Sequence, residues 1–149
     1  RLQEVIIKIQ DMMASDPNNA FLYTELGNVY RQLGEYDKAV SNYKNAISIH
    51  PESFQAMYGL VLVYSNNQEY LKAINVLQDM MRLQPENAEI YYNIACIYSK
   101  QNMVDEAIVW LEQSIDKGFD NWALIRKDPD LSNIRNTGYI IELMREHNL

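Results

Sequence analysis

Apolar residues recur along this chain at helical rather than strand spacing. Tyr23, Leu26, Gly27 and Tyr30 fall three, four and seven apart, and Ala39, Tyr43, Ala46 and Ile47 form a similar set after a break at Leu33–Gly34–Glu35. Each set lies along one face of a helix. Gly34 suits the left-handed residue that ends a helix, and Pro51 marks the boundary before the next element. The arrangement then recurs in steps of 34 residues: Pro17, Pro51 and Pro85; Tyr30, Tyr64 and Tyr98; Ala39, Ala73 and Ala107. Leu26, Leu60 and Ile94 keep an aliphatic column, and Tyr43, Leu77 and Leu111 a large apolar one. Tyr36, Tyr70 and Val104 form another, beside the smaller Ala46, Met80 and Ser114. So many columns at one step read as three copies of a helix–turn–helix unit. In the second copy Gln68, preceded by Asn66–Asn67, replaces the glycine, and the third uses Gln101–Asn102. Asparagine is the second choice for left-handed backbone, so the turn is expected to survive through it.

The ends follow the same logic. Residues 1–16 carry Val5, Ile6, Ile9, Met12 and Met13 before Asp16–Pro17. That is the register of a repeat's second helix without its first, or of an N-terminal cap. Three repeats follow within 17–119, at 20–53, 54–87 and 88–119. Beyond Phe119 the pattern changes. Asn121 can cap a short helix bearing Trp122, Leu124 and Ile125, and Asp128–Pro129 can start a turn through Leu131 and Ile134. Thr137 precedes a last helix with Tyr139, Ile140, Leu143 and Met144 inside and Glu142, Arg145 and Glu146 outside. Stacked repeats need atypical ends to cover an open apolar face, so 120–149 is read as a C-terminal helical cap.

These columns resemble the tetratricopeptide repeat family, whose pattern runs aromatic, Leu-Gly, Tyr, Ala, large apolar, Ala, Pro. The first copy supplies Tyr23, Leu26–Gly27, Tyr30, Ala39, Tyr43, Ala46 and Pro51. The second departs at Met57, Val61 and Met80, and Val61 in the glycine column widens the closest helix contact. The third has Tyr91, Ile94–Ala95, Tyr98, Ala107, Leu111 and Ser114, with Phe119 in place of proline. The resemblance covers residues 20–119 and implies an all-α, right-handed superhelical solenoid of antiparallel helix pairs. It also implies a concave groove lined by the first helix of each pair. Counting from Ala20, Phe54 and Ala88, the second, fifth, ninth and twelfth positions would line it. These are Phe21, Thr24, Asn28 and Arg31; Gln55, Tyr58, Leu62 and Ser65; Glu89, Tyr92, Cys96 and Ser99. Tyr58 and Tyr92 would serve as apolar anchors, with Asn28, Arg31 and Gln55 as orienting donors. The branch of the family that grips an acidic C-terminal carboxylate needs cations that Thr24, Glu89 and Asn93 do not supply and an asparagine where Gly59 stands; only Asn28 matches.

Composition narrows the remaining possibilities. The 149 residues hold five glycines and four prolines, few for a strand-and-turn fold. A net charge of −7 argues against a duplex nucleic-acid binder, which needs a basic stripe. The lone cysteine, Cys96, excludes an intrachain disulfide. No segment reads as a secretory signal or a membrane span. The compartment is left open, with a soluble cytoplasmic protein favoured. His50 and His147 lack metal-ligand spacing, and Asp128, Asp130 and Ser132 imitate only the opening of a calcium loop. No glycine-rich phosphate loop is present, no cofactor is implied, and no enzymatic activity is expected. The chain begins at Arg1 rather than Met, so it is read as a piece of a longer protein. The expected work is binding a protein segment, peptide or helix, in the groove. The alternatives are a scaffold that self-associates, as a homodimer for example, through an exposed leading helix bearing Val5 and Ile9, and a regulatory module of a larger enzyme.

Overall fold

In a computed structural model, which describes residues 1–148, every regular element is helical. The helices are α1 (Leu2–Ser15), α2 (Ala20–Gln32), α3 (Tyr36–Ile49), α4 (Phe54–Asn66), α5 (Tyr70–Leu83), α6 (Ala88–Lys100), α7 (Val104–Asp116), α8 (Trp122–Lys127) and α9 (Gly138–Glu146). A single 3-10 turn, Pro129–Leu131, lies between the last two. The nine helices of the described residues start on one 34-residue grid: α1, α3, α5, α7 and α9 at residues 2, 36, 70, 104 and 138, and α2, α4, α6 and α8 at 20, 54, 88 and 122. Local chemistry sets that grid. The residue before each of α2, α4, α6 and α8 is Asn19, Ser53, Asn87 or Asn121, and its side chain accepts a backbone N–H of the first turn. The turns inside the pairs use left-handed residues, Gly34 (φ 74°), Gln68 (φ 61°) and Asn102 (φ 58°). In each, the following residue (Glu35, Glu69 or Met103) donates its backbone N–H to the carbonyl of Tyr30, Tyr64 or Tyr98, the closing bond of a Schellman motif. In the second repeat Gln68 itself takes the left-handed conformation, not the asparagines before it. The carbonyl-satisfying bonds outweigh the small cost of a Cβ there.

By its contacts the chain forms two compact units, Arg1–Val76 and the part from Leu77 onward. In the second unit, Tyr92, Ala95, Cys96, Ala107, Leu111, Phe119, Ile125, Leu131, Ile134, Ile140 and Leu143 form one core. The tail therefore contributes five of those eleven core residues. It starts as a fourth first helix, with its cap at Asn121 in register, and stops at Asp128. Pro129 forces the change: the residue before a proline is pushed out of the helical region, and Asp128 sits at φ −62°, ψ 118°.

In the first unit, Ile6 and Ile9 of α1 pack against Leu22, Leu26 and Val29 of α2, with Leu2, Met13, Tyr30 and Leu33 around them. Ile9 is thus buried, where the self-association alternative needs it exposed. Val5, Ile7 and Met12 remain exposed on the same helix. Tyr43 of α3 is fully buried, and its ring lies directly against the backbones of α2 and α4. A Cβ added at Gly27 would stand 2.7 Å from Tyr43 Cε1, and one at Gly59 would stand 2.4 Å from it. The two glycines form the slot that holds the ring. Gly27→Ala and Gly59→Ala should each destabilise by about 1–3 kcal/mol through overpacking, in chemical denaturation. Replacing Tyr43 with Leu should relieve part of the Gly59→Ala penalty, so that the double variant loses less than the sum of the singles.

Candidate functional site

The first unit carries the expected groove positions of two repeats, on α2 and α4. Phe21 is 58% exposed and Tyr58 42% exposed, and Gln55 is also exposed. Asn28, Arg31, Leu62 and Ser65 are half-buried. Thr24 is buried, its hydroxyl donating back to the Ala20 carbonyl at 3.0 Å, so it offers a partner nothing. The Tyr43 hydroxyl emerges from the glycine slot beside this face. It donates to Asn28 Oδ1 at 2.7 Å and accepts from Arg31 Nε at 3.3 Å. Asn28 Nδ2 in turn donates to Glu25 Oε1 at 3.1 Å. Burial pushes the Tyr43 phenol above its ordinary pKa, with the Arg31 guanidinium pulling the other way, so the hydroxyl keeps its proton at neutral pH. Tyr43 and Glu25 belong to this face although the sequence pattern assigned Tyr43 only to packing. The signal was available in the pairing of a tyrosine, rather than leucine, with glycines at 27 and 59.

The second unit carries the remaining four positions, and there the expectation fails for three. Glu89 is exposed, but Tyr92, Cys96 and Ser99 are buried. The chain's own tail covers them. The Tyr92 ring stacks on Phe119, with centroids 4.2 Å apart, and its hydroxyl donates to Asp128 Oδ2 at 2.6 Å. The Cys96 thiol donates to the same oxygen at 3.9 Å, and Asn133 Nδ2 donates to the Ser99 carbonyl at 2.7 Å. Lys100 pairs with Asp130 at 3.5 Å. Tyr92, expected to anchor a partner, is therefore a core residue. Asp128 serves two ends at once, because its Oδ1 also accepts the Asp130 backbone N–H and caps the 3-10 turn. This capping role is what its sequence context favoured over calcium binding.

Burial, then the Asp128 and Asp130 carboxylates, push the Cys96 thiol well above its ordinary pKa, which keeps it protonated and a poor nucleophile. Among the described residues, no group of three or more His, Cys, Asp or Glu side chains is placed to hold a metal ion. No described helix is long and apolar enough to cross a membrane.

Comparison with known proteins agrees with the helical grid. Models described as tetratricopeptide repeat match residues 9–41 and 66–127, and one described as TPR repeat matches 27–68. No curated protein matches in sequence. Among solved structures, a crystal structure of MamA is similar with a TM-score of 0.71 and 24% identity, over 78% of this chain and 68% of that one. MamA 41-end from Desulfovibrio magneticus RS-1 is similar with a TM-score of 0.72 and 19% identity, over 99% of this chain and 88% of that one. YrrB, described as a TPR protein with an unusual peptide-binding site, gives 0.70 and 17% identity over 94% and 71%. At these identities the likeness is one of fold.

The burial of Tyr92 and Cys96 has a measurable consequence. Tyr92→Ala should cost about 3–5 kcal/mol of stability in urea denaturation, as expected for an excised core aromatic. Tyr92→Phe should cost about 1–3 kcal/mol, by leaving Asp128 without its hydroxyl. Cys96 should resist alkylation by iodoacetamide at mildly alkaline pH, and its labelling rate in stopped-flow or mass-spectrometric assays should follow unfolding.

Proposed function

Because the chain belongs to the tetratricopeptide repeat family, whose members are in general non-enzymatic protein–protein interaction modules, we propose that it receives a partner's peptide or helix along α2 and α4. The observation that carries this reading is the contrast between equivalent positions. At the fifth position of the third repeat the tail covers Tyr92, whereas Tyr58 at the fifth position of the second keeps exposed surface, with Phe21 and Gln55 exposed at second positions. Exposed aromatics beside orienting polar groups are the composition that peptide-recognition faces use, since rings supply area at low entropic cost. Asn28 and Arg31 provide the polar element, held in place from behind by Tyr43. A Phe21→Ala, Tyr58→Ala double variant should fold and lose most partner capture, because neither ring is buried. Capture at wild-type strength by that variant, measured by surface plasmon resonance with the purified partner, would overturn the assignment.

A second reading has its own observation. Val5 is 38% exposed and Met12 55% exposed on α1, and seven residues apart they share one face, so this leading helix presents an apolar strip. Exposed apolar surface of that kind suits self-association. If α1 joins two copies, light scattering should give a concentration-dependent mass that Val5→Glu with Met12→Glu abolishes. A concentration-independent monomer rejects the scaffold reading and leaves the α2–α4 face untouched.

A further inference from the structure

The Tyr43 hydroxyl has one proton. With that proton given to Asn28 Oδ1 at 2.7 Å, the oxygen can only accept from Arg31 Nε, which it does at 3.3 Å. Asn28 passes the polarity on, donating Nδ2 to Glu25 Oε1 at 3.1 Å. The bonds therefore run in one direction, from guanidinium through phenol and amide to carboxylate. This has two effects on Arg31. Its Nε edge is fixed to a fully buried ring, so the half-exposed side chain is oriented before any partner arrives. The contact also leaves the end-on pair, Nη1 and Nη2, outside it. That pair is the fork whose parallel N–H bonds match the two oxygens of a carboxylate. The Glu25 carboxylate on the same helix is engaged through Asn28. Arg31 is also the one cation among the twelve groove positions.

Resting on the reading that α2 and α4 receive a partner segment, we infer that Arg31 is the receptor for an aspartate or glutamate side chain of that segment. Tyr43 is its positioning residue. The pre-set fork removes part of the entropy that a flexible arginine would lose on pairing. Asn28 keeps one amide N–H beyond the Glu25 bond, a donor for a neighbouring backbone carbonyl of the ligand. The partner segment is therefore mixed in character. It carries apolar side chains for Phe21 and Tyr58 and one carboxylate at the Arg31 end of α2.

The test uses the whole chain and a randomised peptide library with amidated C-termini, so that only side-chain carboxylates can answer. Peptides selected on the wild-type chain should be enriched in Asp or Glu at one position. Their affinity should fall about tenfold on Arg31→Gln, as expected for loss of a charge-assisted pair. Replacing the peptide's acid with its amide should cost the wild-type chain the same factor and cost Arg31→Gln nothing further. Tyr43→Phe should weaken acidic peptides several-fold on the wild-type background and not on Arg31→Gln, an outcome that mere loss of stability, followed by thermal melting, would not give. Selected peptides without an acidic preference, or with unchanged affinity for Arg31→Gln, overturn this inference and leave the binding face standing. Failure to select any peptide overturns both.

Discussion

A phenol ring wedged between two helix backbones sets the terms for the first unit. Tyr43 occupies the column that holds leucine in the other two repeats, and its extra volume is accommodated at Gly27 and Gly59, where any Cβ would overlap it. A tyrosine in that place brings a hydroxyl with it, and a buried hydroxyl left without a partner costs about 1–3 kcal/mol. The partner is Asn28, next to Gly27 on α2, and Arg31 adds a second bond. One packing choice in the core therefore dictates which polar groups stand on the outer face and how they point. The spacing of α2, α3 and α4 and the chemistry of the candidate site share a single cause.

The repeat itself was readable in the sequence because its causes are local and periodic. Asn19, Ser53, Asn87 and Asn121 cap, Gly34 and Asn102 turn, and the alanine and aromatic columns pack at fixed offsets. The site was readable only in part. Phe21, Gln55 and Tyr58 are exposed as their helical phase requires. Thr24 was misjudged because a threonine can satisfy its hydroxyl on its own helix and then be packed over. Tyr92, Cys96 and Ser99 were misjudged for a different reason. Their burial is imposed by residues 128–134, and no periodicity announces where a segment goes once Pro129 has broken its helix. Gly59 was visible but read as a missing ligand group, when its work is to make room.

The tail shows how termination and recognition compete for the same surface. A stack of helix pairs must end by covering the apolar face of its last pair, since each pair is stabilised only by its neighbours. Here the cover begins as another first helix in register, then gives way at Asp128–Pro129 to a turn that brings Leu131 and Ile134 into the core. The polar contacts follow that apolar anchoring: Asp128 meets Tyr92, Asn133 meets the Ser99 carbonyl, and Asp130 meets Lys100. The third repeat thus binds a segment at the fifth, ninth and twelfth positions, and the segment is its own chain.

That internal contact also bears on how the equivalent face of the first unit works. In the third repeat a carboxylate, from Asp128, is held by a tyrosine hydroxyl and a thiol, both neutral donors in a buried place. Such a contact needs a covalently tethered acid, because neutral donors repay little of the cost of desolvating a charge brought in from water. The first repeat offers the opposite arrangement. Its cation is half-exposed, so an incoming acid keeps part of its hydration and meets a full charge, while the buried phenol behind it is satisfied whether or not a partner is present. A site that must open and close to a separate molecule is stable in both states only if its core hydrogen bonds do not depend on the ligand, and the Tyr43–Asn28–Glu25 bonds meet that condition.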